Sequence, residues 1–181
     1  MPDTILRFAP SPTGGFHVGN ARTALFNYLY AKHYGATLLL RVEDTDRARY
    51  TDDSLKTILD GLSWLGIASD GEPVFQSQNE EAHKKAVEQL LASGHAYYAY
   101  ETPEEIDVMR KEALAAKRRV HYNRELTAEQ VAAFEAEGRA KVVRFRVPDG
   151  DTVWTDKIRG VQRWGNVEIE DFVVARSDGS P

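Results

Sequence analysis

The chain has 181 residues, enough for one good core or two small domains, and carries 23 basic against 28 acidic side chains for a formal net charge of −5. That balance gives no bulk-charge support to nucleic-acid binding, and neither half of the chain is cationic, so any such contact must come from local clusters. Cysteine is absent, which excludes disulfides and thiolate metal sites; no apolar run is long enough to span a bilayer, and Met1-Pro2-Asp3-Thr4 lacks a signal peptide's regions, so a cytoplasmic protein without membrane association is expected.

Ile5, Leu6 and Phe8 read as a strand, which Pro10 to Gly15 cannot continue. From Asn20 the apolar positions Ala21, Ala24, Leu25, Tyr28 and Leu29 fall at helical spacing. A loop that leaves a strand's carboxyl end and enters a helix aims several backbone N–H groups at one point, where a phosphate can sit. Gly14 and Gly15 let a ligand approach the backbone closely, and His17 adds a side-chain donor. Alone, the stretch fits a plain strand–helix connection equally well. The next segment shifts that balance. Leu38 to Val42 is an apolar strand of the kind buried in a parallel sheet, and it runs into Glu43-Asp44-Thr45-Asp46. In an open α/β sheet this puts a carboxylate cluster on the same rim as the first loop, which suits a nucleotide beside a cationic group.

A helix is expected from about Asp53, with Leu55, Ile58, Leu59, Leu62 and Leu65 on one face and Gly66 as its stop. Pro73 to Gln76 gives a short third strand, and a helix from about Glu80 uses Val87, Leu90 and Leu91 before Gly94. This order implies an α/β fold, the right-handed parallel half of a doubly wound sheet, over residues 1–95. From Ala96 the pattern changes to a separate α/β module over 96–181. Tyr97 to Tyr100 is an aromatic strand; Thr102-Pro103-Glu104-Glu105 and Thr127-Ala128-Glu129-Gln130 are helix starts with capping residues. Val142 to Val147 alternates apolar and basic residues and turns at Pro148-Asp149-Gly150-Asp151 into Thr152 to Thr155, which reads as a hairpin. Phe172 to Val174 is a final strand, and the Ala/Glu/Lys-rich stretch from Glu112 to Glu137 is helical or mobile surface.

Several of these segments together resemble one family. Arg7 to Gly14, His17-Val18-Gly19-Asn20 and Arg41 to Asp46 are similar to the N-terminal part of glutamyl-tRNA synthetases, class I aminoacyl-tRNA synthetases in which His17 to Asn20 stands at the HIGH signature. The likeness continues through Asp60 to Gly66, Tyr97 to Tyr100, Val143 to Phe145, Asp156 to Gly160 and Ser177 to Pro181, so it covers nearly the whole chain. Asn20 replaces the signature's second histidine, leaving His17 as the only imidazole there.

The resemblance implies a Rossmann catalytic domain split by an insertion that meets the tRNA acceptor stem. It implies activation of L-glutamate with ATP and Mg²⁺, then transfer to the 3′ end of tRNA(Glu), by a monomer. His17 and Asn20 are the catalytic candidates, and Thr13, Gly15, His17, Gly19 and Asn20 the ATP-binding ones. Asn20 either donates through its amide or caps the helix. Arg7, Ala9, Ser11 and Glu43 would bind glutamate: Ser11, the Ala9 carbonyl and Glu43 suit the ammonium, while Arg7 suits either carboxylate, unless it pairs with Glu43 or Asp44. Asp44 and Asp46 read better as structural than as metal ligands.

Arg118, Arg119 and Arg124, in a cluster with Arg110, Lys111, Lys117 and Tyr122, are candidates for acceptor-stem phosphates, as are Arg144, Arg146, Arg159 and Arg163. Such a run fits a solvated helix face as well. Ala99 and Glu101 stand where some relatives carry zinc-binding cysteines, so no zinc is expected. In the family a second Rossmann half and a KMSKS loop follow, so these 181 residues are expected to be an N-terminal part, inactive alone. Three alternatives are a tRNA-modifying glutamyl transferase, a nucleotidylyltransferase, which would want the second histidine, and a non-catalytic module that binds tRNA or protein.

Overall fold

The computed structural model describes residues 4–46 and 48–180, which form two compact units dividing between Glu80 and Glu81. Met1 to Asp3, read above for a signal peptide, and Pro181, the end of the last motif, lie outside the described residues.

In the first unit, β1 (Ile5–Phe8), α1 (Val18–Tyr34), β2 (Thr37–Val42), α2 (Asp52–Trp64) and β3 (Val74–Phe75) build a three-stranded parallel sheet in the order β1-β2-β3. Phe8 pairs with Leu40 and Val42 with Phe75, so all three strands end on one rim. The sheet and both helices close over Phe8, Ala24, Ala31, Leu38, Leu40, Ile58, Leu62 and Ile67. Helix α2 begins at Asp52, one residue before the expected start, where Thr51 caps it by accepting from the Ser54 N–H. Helix α1 begins at Val18, two residues earlier than its apolar spacing suggests, because His17 caps it. Its middle is less buried than that spacing implies: Leu25, Phe26 and Leu29 are exposed.

The second unit holds all but the first residue of α3 (Glu80–Ala92), then β4 (Ala96–Ala99), α4 (Pro103–Ala115), α5 (Ala128–Ala136), β5 (Val142–Phe145), β6 (Asp151–Asp156), β7 (Gly160–Gly165) and β8 (Val173–Ala175). Strands β4, β5 and β8 form an antiparallel sheet with β5 in the centre. The units divide earlier than residue 95, because Val87, Leu90 and Leu91 of α3 pack on Ala96, Val143 and Ala175 of this sheet. Thr102 and Thr127 both form complete capping boxes, with Glu105 and Gln130 reaching back to the cap.

The expected hairpin pairs differently. β5 joins β4 and β8, whereas β6 pairs with β7 across Lys157-Ile158-Arg159. The Asp156 carboxylate accepts the N–H groups of Ile158 and Arg159, both at 2.8 Å, which folds that turn locally. The turn at Pro148 to Gly150 instead carries the chain from one sheet to the other. Among the described residues no helix is long and apolar enough to cross a membrane.

Candidate active site and the arginine cluster

Alternation along β1 buries Phe8 in the core and leaves Arg7 exposed. The chain then continues beside β2. The Glu43 N–H donates to the Pro10 carbonyl at 2.9 Å, which pins the first loop against the acidic end of β2. Pro10 and Pro12 are buried, and the Thr13 N–H donates to the Ser11 carbonyl at 2.9 Å, so this is a fixed turn. Ala9, Ser11, Thr13 and Glu43 thereby share one rim of the first unit with the entry to α1.

His17 holds the α1 N-cap in an extended conformation, φ −104° and ψ 168°, and its Nδ1 accepts the Gly19 N–H at 3.1 Å. With Nδ1 as acceptor the neutral ring carries its proton on Nε2, which makes the exposed edge of the imidazole a hydrogen-bond donor. Gly19 eases this fold-back: a Cβ there would lie 3.0 Å from both Cε1 and Nδ1 of His17, so the ring would have to give by a few tenths of an ångström. Asn20 lies inside the first turn of α1, so the capping role belongs to His17. Gly14 and Gly15 are exposed in the loop, and a Cβ on either would meet nothing within 4 Å.

The acidic end of β2 divides its tasks. Glu43 forms an ion pair with Arg41 through Oε1. Asp44 accepts the Ser77 N–H at 2.8 Å and the Ser77 hydroxyl at 2.5 Å, tying β2 to the 3-10 turn Gln76–Asn79 after β3. Asp46 accepts from Arg49 Nε at 2.6 Å, and that hydrogen bond holds its carboxyl below the usual carboxylate range. The intramolecular alternative for Arg7 is therefore not taken: it pairs with neither Glu43 nor Asp44, whose partners are Arg41 and Ser77.

In the second unit the candidate cations separate sharply. Arg124 grips Asp171, with Nε on Oδ2 and a terminal nitrogen on Oδ1, both at 2.7 Å, and it also donates to the Val147 carbonyl at 3.2 Å. Arg144 is buried, donates to the Asp171 carbonyl at 2.9 Å, and stacks 3.5 Å from the centre of the Tyr122 ring. Arg146 donates to the Arg124 carbonyl at 3.0 Å, and Arg163 pairs with Asp151 at 2.5 Å. Arg124 and Arg144 thus brace the unit's own frame, Arg144 buried and Arg124 with 36% of its side chain in water. Arg118 and Arg119 are exposed after α4, and Arg118 donates to the Arg119 carbonyl at 3.3 Å.

Asp171, which sequence reasoning passed over, is the hub of this region at 4% exposure. It also accepts the Tyr97 hydroxyl at 2.7 Å and the Val147 N–H at 3.0 Å. Burial pushes its carboxyl up, but hydrogen bonds from Arg124, Tyr97 and Val147 outweigh that and hold it low. Burial and Asp171 push the Tyr97 hydroxyl well above its usual range. Beside the hub is a polar pocket of about 550 Å³ reached by Arg119, His121, Asn123, Arg146 and Asp149. Among the described residues, no group of three or more His, Asp or Glu is placed to hold a metal ion.

The family model for class I tRNA synthetases (E and Q), catalytic domain, matches residues 4–181. The glutamate–tRNA ligase of Desulfotalea psychrophila is 51% identical over 185 residues, a match to 100% of this chain and 38% of that protein. Glutamate–tRNA ligase 2 of Bartonella quintana is 47% identical over 178 residues, covering 98% of this chain and 37% of its own length. Among solved structures, a glutamate tRNA ligase from Elizabethkingia meningosepticum in complex with its amino acid aligns with a TM-score of 0.82 at 35% identity, over 99% of this chain and 39% of that one. The glutamate–tRNA synthetase of Elizabethkingia anophelis gives 0.84 at 35% identity, over 99% and 40%. The chain spans about two fifths or less of the length of these relatives. A match over nearly every residue, on a parallel α/β frame with His17 at the mouth of α1, makes this chain a member of the class I tRNA synthetase family for glutamate and glutamine, within its catalytic domain.

Proposed function

We propose that the first unit forms part of the site where a glutamate–tRNA ligase makes glutamyl-adenylate. One α-carboxylate oxygen of L-glutamate attacks the α-phosphorus of ATP, whose magnesium travels with it as substrate, and pyrophosphate leaves. The activated carbonyl then passes to a hydroxyl at the 3′ end of tRNA(Glu), and AMP leaves. This reading draws most support from the Glu43 N–H to Pro10 carbonyl bond, which sets a phosphate-accepting loop beside an acidic strand end.

In this reading Thr13, Gly15, Gly19 and Asn20 form the ATP side, and the Nε2–H of His17 donates to phosphate oxygens as charge grows on them. Ser11, the Ala9 carbonyl and Glu43 take the ammonium; Arg41 occupies one oxygen of Glu43 and leaves the other for it. Arg7, exposed and unpaired with the β2 acids, takes a glutamate carboxylate. No enzyme-bound covalent intermediate is involved, and catalysis is positioning plus stabilisation of phosphorus-centred charge. Asp44 and Asp46, held by Ser77 and Arg49, serve the frame of the site, and with Ala99 and Glu101 where some relatives carry cysteines no zinc site is proposed in this chain. The second unit contacts the acceptor stem through Arg118 and Arg119, and the protein acts as a monomer in the cytoplasm.

Calorimetric titration of the 181-residue chain with a non-hydrolysable glutamyl-adenylate analogue tests the reading, with the glutaminyl and aspartyl analogues as comparators. Binding that prefers the glutamyl compound and weakens in Arg7→Ala is expected. Equal affinity for all three analogues, or none for any, would overturn it.

A further inference from the structure

Gly61 lies inside α2, where its backbone is ordinary right-handed helix, and an interior glycine weakens a helix relative to alanine. Conformation does not call for it, but space does. A Cβ on Gly61 would sit 2.3 Å from Cδ1 of Phe16, 2.8 Å from Cε1 and 3.0 Å from Cγ. The clash reaches the root of the ring, so turning the ring tip aside cannot relieve it. Phe16 is half-buried against the core of the first unit, and the residue after it is His17. An apolar residue just before an N-cap fixes the angle at which the chain enters the helix. Here that residue rests on the neighbouring helix, at the one position of contact with no side chain.

We infer that Gly61 is a positioning residue for His17: the bare helix surface seats Phe16, and Phe16 sets the N-cap geometry that turns the imidazole's Nε2–H outward. The consequence for ligand affinity rests on the reading of His17 as a phosphate donor; the effect on the ring itself does not.

Gly61→Ala, Phe16→Ala and the double variant Gly61→Ala/Phe16→Leu are compared with the parent 181-residue chain by circular dichroism, by His17 ring-nitrogen NMR shifts and by affinity for the glutamyl-adenylate analogue. In the parent, the shifts report a proton on Nε2. Gly61→Ala is expected to mix the tautomers and weaken the analogue by about 10- to 100-fold, the loss that misplacing a site group by about an ångström brings. The double variant, with a slimmer side chain facing the new methyl, is expected to regain most of both. Phe16→Ala removes the same seat from the other side and gives the same ring shift, so the inference stays testable if Gly61→Ala folds poorly. Parent-like His17 shifts in both Gly61→Ala and Phe16→Ala, or no recovery in the double variant, would overturn the inference. Displaced shifts with parent-like affinity would sustain Gly61's role and overturn the phosphate-donor reading.

Discussion

Removing the Asp171 carboxylate is the sharpest test of how the second unit is held together. Asp171→Ala deletes two 2.7 Å bonds to Arg124, the 2.7 Å bond from Tyr97 and the 3.0 Å bond from the Val147 N–H. Breaking a buried ion pair from one side costs about 3–5 kcal/mol. Arg124 keeps 36% of its side chain in water, so its share is discounted for solvent screening. Tyr97 and Val147 offset that discount, because a buried donor left without a partner costs about 1–3 kcal/mol. A total near the bottom of the first range, about 3 kcal/mol, follows. Against a typical domain stability of about 5–15 kcal/mol this is a large fraction. Trp154 and Trp164 lie in this unit and Trp64 in the other, so Trp64→Phe confines the fluorescence signal of a urea melt to the unit that holds Asp171. A loss below about 1 kcal/mol, the size of one ordinary hydrogen bond, would refute the hub.

Other predictions follow from the same contacts. Because the Asp171 carboxyl is held low, the stability it contributes is complete above roughly pH 4 and falls as pH drops through its lowered value. Acid titration of stability is therefore expected to be shallower in Asp171→Asn than in the parent, and parallel curves would count against it. Tyr97 carries the opposite sign: its raised value means stability is lost as pH climbs above roughly 10, a loss that Tyr97→Phe removes in alkaline denaturation. Thr102→Ala opens the α4 capping box and is expected to cost about 1 kcal/mol in a urea melt. In filter-binding assays with tRNA, Arg118→Ala and Arg119→Ala are expected to weaken binding and flatten its salt dependence at parent-like stability. Arg124→Ala is expected instead to lower stability, because its guanidinium serves Asp171.

Local chemistry explains what could be read in advance. The Thr102 and Thr127 caps are written in residues three positions apart, and the parallel first sheet, with its first loop meeting Glu43, follows from the alternating order of short strand and helix segments. The Asp171 hub joins residues as far apart as Tyr97, 74 positions away, and no spacing in the sequence announces it. Arg144 reads in the sequence as a candidate for acceptor-stem phosphates, yet it is buried, with its guanidinium received by Tyr122 and the Asp171 carbonyl. The hairpin partner of β6 was misjudged because Pro148-Asp149-Gly150 has good turn chemistry, while the Asp156 carboxylate that folds the true turn is a subtler signal. His17 was legible as a donor, but its role as the α1 cap was not: histidine is an uncommon cap, and here Gly19 leaves room for the ring.

ATP and glutamate are proposed to meet where the first loop touches the end of β2. Backbone amide NMR shifts of the 181-residue chain, recorded as the glutamyl-adenylate analogue is added, test this directly. Perturbations should centre on Thr13 to Gly15, His17 to Asn20 and Glu43, and fade in His17→Ala. Saturable shifts confined to residues 81–180, or an unperturbed first loop at saturating analogue, would contradict it.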